Sequence, residues 1–153
     1  MTIVVLGSDK MLYIYTKVTS LTNNEDQQGP PTFENSKTFQ LPCFARRVWY
    51  LQKHRAWLVS FTDNTVKQVD IDAKGEARMA EKLSNKKAPP FVGVVQTLSH
   101  HSDEITDCVE VLIPLCIATC SKDKTIVLFD LQNRVKLRTI SDQHETWIFR
   151  LRY

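Results

Sequence analysis

The sequence has no apolar run long enough to cross a bilayer. Strongly apolar runs such as Ile3 to Leu6 and Val111 to Ile113 fall far below the ~18 residues that a spanning helix needs. A leader peptide is not expected, because the first apolar run is short, lacks a basic lead and meets Asp9 and Lys10 at once. With Gly 4 and Pro 6, collagen-like and low-complexity material is excluded, and 42% hydrophobic against 24% charged residues excludes a highly charged disordered tail. There is no Gly-rich phosphate loop, no Gly-Xaa-Ser-Xaa-Gly elbow and no Cys-Xaa-Xaa-Cys pair, so catalysis has no motif to rest on. What remains is a globular composition in 153 residues, the length of one ordinary domain.

The cysteines are Cys43, Cys108, Cys116 and Cys120, and without an export signal reduced thiols are expected. If residues 116 to 120 form a strand, Cys116 and Cys120 stand roughly 13 Å apart on one face, too far to bridge or to share a zinc ion. Core thiols are therefore the expectation. Charge is uneven. The formal net charge is +3, and residues 39 to 90 alone carry 10 basic and 5 acidic groups. Arg46, Arg47, Lys53 and Arg55 interleave with Trp49, Tyr50 and Trp57, a pattern able to stack on nucleic acid, but half of the basic groups are Lys74, Arg78, Lys82, Lys86 and Lys87 in an expected loop. A solvated basic face is the better reading.

Short runs rich in Val, Ile, Thr and aromatics alternate with polar turn clusters, which argues for an all-β chain. Leu115 to Cys120 is an apolar run broken only by Thr119, Ser121 to Lys124 is a turn, Thr125 to Asp130 is a second β-prone run, and Arg134 to Thr139 alternates basic and apolar residues. Two inner strands and an outer strand with one buried face are implied. The pattern recurs: Leu58 to Ile71 matches Ile117 to Leu131 if one turn residue is deleted, bringing Asp63, Thr65, Val66, Val69 and Asp70 onto Asp123, Thr125, Ile126, Phe129 and Asp130. A fainter copy, Ile3 to Thr16, puts Asp9, Leu12 and Tyr15 at the places of Asp123, Ile126 and Phe129. Between the copies lie two expected loops, a polar one at 20–37 and a charged one at 72–90, the second with a helical turn around Ala77 to Leu83.

The third copy resembles a WD-repeat blade of a β-propeller. His101 stands four residues before Ile105, as in the family's Gly-His lead, with His100 in place of the glycine. Ala118 and Thr119 fit the second strand, Ser121 to Thr125 the turn with its Asp, and Phe129-Asp130 the Trp-Asp ending. His144 then stands four before Ile148, 43 residues after His101, within the ~40–45 of a blade repeat. The resemblance implies a hydrogen-bonded set in which Asp123 accepts from His101 and His101 contacts Thr119, with Phe129 replacing the indole and removing one donor. His, Asp and Thr in this setting imply structure rather than catalysis.

On this reading the fold is an all-β partial β-propeller of four-stranded antiparallel blades. Residues 1–41 form a partial blade, 42–98 a second, 99–141 the best-matching one, and 142–153 the first strand of a further blade. A closed propeller needs about four to eight blades, so the chain is expected to be a segment of a longer chain or to be completed by other subunits. The resemblance implies a non-catalytic scaffold for protein–protein contacts in the cytoplasm. A weaker likeness of Ile105 to Asp130 to long axonemal WD-repeat proteins extends this to the cytoskeleton and the cilium. Candidate contact residues are Arg46, Arg47, Trp49 and Trp147, since Trp and Arg are favoured at interface centres. The competing reading is a nucleic-acid module built on the basic segment 46–87. Asp70, Asp72, Gly75 and Glu81 match four positions of a calcium-binding loop, but Lys74 and Arg78 stand where oxygens are needed. No metal, cofactor, small-molecule substrate or membrane contact is expected.

Overall fold

The computed structural model describes residues 2–18, 32–71, 89–112 and 115–153. The described fold is all-β, eleven strands in three antiparallel sheets. The first sheet has the order β1 (Thr2–Leu6), β2 (Met11–Lys17), β3 (Phe33–Gln40). In the second, β4 (Ala45–Leu51), β5 (Ala56–Phe61), β6 (Val66–Asp70) and β7 (Gly93–Leu98) run in sequence order, and β8 (Ile105–Leu112), β9 (Leu115–Ser121), β10 (Ile126–Asp130) and β11 (Val135–Ile140) repeat that plan in the third.

The strands β5 and β9 bury side chains on both faces because the sheets stack. In β5, Val59 and Phe61 join the cluster shared with the first sheet, around Leu12, Ile14, Phe39 and Leu41. Leu58, on the opposite face of the strand, points the other way, into a cluster with Ile105, Cys108, Ile117 and Phe129 of the third sheet. Alternate side chains on one strand thus feed two cores, which turns an alternating pattern into a continuous apolar run.

The three strand-turn-strand units share one turn geometry. Asp9, Asp63 and Asp123 each accept the backbone N–H two residues on, from Met11, Thr65 and Thr125. The residue between is left-handed in every case, with φ of 63° at Lys10, 59° at Asn64 and 70° at Lys124. An Asx turn of this kind reverses the chain with side-chain help. The registers Leu6↔Leu12, Ser60↔Val66 and Cys120↔Ile126 superpose without a gap, so the one-residue deletion expected between the second and third copies is not present. Trp57, not Leu58, is the counterpart of Ile117.

Three further expectations are corrected. β3 begins at Phe33, inside the interval 20–37 read as loop, because Phe33–Gln40 is a largely exposed outer strand whose polar sequence carries no burial signal. β11 is exposed along nearly its whole length, Val135 and Leu137 included, where alternation suggested one buried face; as an outermost strand it has nothing stacked on it among the described residues. Residues 142–153 form no strand, since they have no ladder partner. The polar loop from 19 to 31, the charged loop from 72 to 88 with its expected helical turn, and therefore Asp72, Gly75 and Glu81, lie outside the described residues.

Candidate functional site

In the third sheet, His101 sits between the turn and the second strand. Its Nδ1 lies 2.9 Å from Asp123 Oδ2, and its Nε2 lies 2.9 Å from Thr119 Oγ1. An ionised carboxylate can only accept, so Nδ1 carries the proton, and the Thr119 hydroxyl can serve Nε2 in either protonation state. The side chains of His101 and Asp123 are 3% and 8% exposed. Asp123 also accepts the Ser102 N–H and the Thr125 hydroxyl. Burial pushes the Asp123 carboxyl up, but the bonds from Thr125 and Ser102 and the neighbouring His101 outweigh it and hold the group below its ordinary 3.8. Phe129 makes no polar bond in this network; it is buried in the core and its ring centroid lies 5.4 Å from that of His100. Asp130 accepts the N–H groups of Gln132 and Asn133 and closes the β10–β11 turn. His144 is exposed.

The second sheet solves the same problem differently. Continuing the gapless match, Leu41 stands in the place of His101 and Val59 in the place of Thr119, and both are buried. An apolar pair replaces a hydrogen-bonded pair, so neither leaves an unpaired polar atom. Asp63 is then served by Lys67, whose Nζ lies 3.2 Å from Oδ2, and by the Thr65 hydroxyl at 2.6 Å. The Cys43 Sγ stands 3.7 Å from the same carboxylate.

Adjacent sheets are tied through β8. Asp107 accepts Trp49 Nε1 from β4 at 3.2 Å and the Leu151 N–H at 3.0 Å. Glu110 accepts three bonds from the β4–β5 turn: the N–H groups of Lys53 and His54 and, at 2.8 Å, His54 Nδ1. Trp49 is half-buried, with its indole N–H committed within the chain. The thiols of Cys108, Cys116 and Cys120 are unpaired and buried, and that burial raises their pKa values. Among the described residues no cluster of His, Cys, Asp and Glu is placed to hold a metal ion.

Phe44, Glu104 and Trp147 hold equivalent positions, each immediately before Ala45, Ile105 or Ile148. They line a rim of alternating cations and rings. Lys10 Nζ lies 4.6 Å from the centre of the exposed Phe44 ring, and Lys122 Nζ lies 4.9 Å from that of Trp147. Glu104 joins the rim by ion pairs to Arg46 at 3.3 Å and Lys122 at 2.8 Å. Trp147 is 52% and Phe149 66% exposed, packed edge-on at 6.2 Å between centroids. The structure thus brings Arg46 and Trp147 into one array through Glu104 and Lys122. Arg47 lies exposed beside Arg46. The sequence reading missed Phe44, Glu104, Lys122 and Phe149; the shared position before each innermost segment is the signal that finds the first two.

Comparison with solved structures finds a propeller domain. The chain is similar to the WD40 β-propeller domain of Doa1, with 17% identity and a TM-score of 0.43, over 95% of this chain and 53% of that one. The chain thus spans about half the length of that domain. No family model and no curated protein matches the sequence.

Proposed function

We propose that the chain is a non-catalytic scaffold, an arc of propeller blades that presents its lead-in rim to protein partners. The observation that carries this is the exposed ring-and-cation array of Phe44, Arg46, Lys122, Trp147 and Phe149. Large rigid rings beside cations are the chemistry of interface centres. The three repeated units, their common Asp turn and the His101–Asp123–Thr119 set support the blade reading. That set has the order of a nucleophile, base and orienting acid, but Thr119 is 4% exposed, so its hydroxyl has no face on which a substrate could arrive. A cytoplasmic, cytoskeletal or ciliary setting rests on the sequence resemblance alone.

The rim is tested by affinity capture at rising salt, comparing the chain with Trp147→Ala and Arg46→Glu. The expected outcome is a salt-resistant protein complex weakened about 30-fold by Trp147→Ala, the weight of one interface anchor, with thermal melting unchanged. Capture of RNA or DNA that collapses steeply with salt would overturn the proposal in favour of the nucleic-acid reading.

A further inference from the structure

Among the described residues, the first sheet lacks the strand that the other two carry at their inner edge. β1 is the counterpart of β5 and β9, each of which has a neighbour on that side, β4 and β8. Along β1 no described residue occupies that place. Its side chains show the gap: Val5 is 41% exposed, whereas Val59 at the same position of β5 is 0% exposed.

Residues 148–153 have the sequence of the missing strand and no ladder of their own. Ile-Phe-Arg-Leu-Arg-Tyr matches Ala-Arg-Arg-Val-Trp-Tyr of β4, with Arg150 at the place of Arg47, Leu151 at Val48 and Tyr153 at Tyr50. The segment is already held beside the third sheet. The Ile148 N–H donates to Ser121 O, the Thr106 hydroxyl donates to Ile148 O, and the Leu151 N–H donates to Asp107. Asp107 of β8 also binds Trp49 of β4, so β4, β8 and 148–153 follow one another as successive innermost segments. Phe149 and Tyr153 remain 66% and 70% exposed on it.

We propose that residues 148–153 of one copy add as an antiparallel strand to β1 of a second copy, reciprocally, so that two chains complete each other. The β4–β5 register Arg47↔Ser60, Val48↔Val59, Tyr50↔Trp57 carries over to Arg150 opposite Leu6, Leu151 opposite Val5 and Tyr153 opposite Ile3. In the second sheet the Tyr50 and Trp57 rings meet at 4.8 Å between centroids, and Tyr153 on the exposed Ile3 would make the equivalent contact. Strand addition gives the open N–H and C=O groups of β1 their partners and removes an edge that otherwise invites uncontrolled pairing. Two copies of three sheets each give about six, inside the range in which such rings close. The pairing is head-to-tail in each contact, and closure after two copies is what separates a dimer from a filament. The inference rests on the strand arrangement and not on the scaffold's partners.

Sedimentation equilibrium of the 153-residue chain is expected to give twice the 17.7 kDa chain mass. In a Cys43→Ser background, Val5→Cys with Leu151→Cys is expected to oxidise to a covalent dimer. Val4→Cys with Leu151→Cys, on opposite faces, is expected not to cross-link. Val5→Lys is expected to weaken the dimer by more than about tenfold, since it removes one cross-strand pair and buries a charge. Its β-sheet circular dichroism is expected to be unchanged. A monomer at ~100 µM, well above the concentrations at which specific dimers form, would overturn the proposal. So would a ladder of species beyond the dimer, equal cross-linking in the two registers, or a dimer indifferent to Val5→Lys. Failure of the rim variants to affect protein capture would leave these outcomes untouched.

Discussion

His101 and Leu41 show how one position can be filled by opposite chemistries. His101 is useful only because Asp123 and Thr119 stand at bonding distance, and Leu41 is tolerated only because Val59 faces it in place of a hydroxyl. His101→Leu alone leaves the Thr119 hydroxyl only its 3.4 Å bond to the Val127 carbonyl and removes a donor from Asp123, and is expected to cost about 1–2 kcal/mol in urea unfolding. His101→Leu with Thr119→Val rebuilds the pairing of the second sheet, and is expected to recover about 1 kcal/mol of that loss. Simple additivity of the two substitutions would contradict the equivalence. The carboxylates make a second prediction. Asp123, Asp63 and Glu110 are each pushed up by burial and pulled further down by their hydrogen bonds, ending below their ordinary values. A carboxylate depressed by folding adds stability that is whole above its unfolded pKa and is lost as pH falls through the folded one. The midpoint of thermal melting is therefore expected to fall below about pH 4, and less steeply in Asp123→Asn.

The second and third sheets are joined by polar bonds where β8 meets the β4–β5 turn. Glu110 is the centre of that joint, with three donors on one carboxylate, and His54 has a buried Nε2 with no other bond to fall back on. Glu110→Ala is expected to destabilise by about 2–3 kcal/mol in urea unfolding, against no change for Glu145→Ala at an exposed site. Which elements the sequence reveals follows from their neighbours. β5, β6, β9 and β10 are packed on both faces, so their runs and Asp turns are legible. β3 and β11 are outer strands facing water, so their residues look like loop or like half-buried alternation. The His101 network was legible because polar side chains have a spacing signature. Its apolar counterpart was not, since Leu41 and Val59 look like any core residues. Arg46 reads in the sequence as one of a basic cluster, and its pairing with Glu104, 58 residues on, leaves no local signal.

At the scale of the whole molecule, the inner edge of β1 and the segment at 142–153 both have no ladder partner among the described residues. Exposed Val135, Leu137, Trp147 and Phe149 on the third sheet and its following segment, with Ile3 and Val5 on the first, leave apolar surface at opposite sides of the arc. A self-contained domain closes such surface internally; here, among the described residues, it is open. The proposal at this scale is that these three sheets form an open arc whose native state depends on a neighbour. Thermal unfolding of the 153-residue chain over a hundredfold range of concentration tests it most directly. Folding coupled to association makes the midpoint rise with concentration, which is the result predicted. A sharp, cooperative melt of a monomer, with a midpoint independent of concentration, would contradict it.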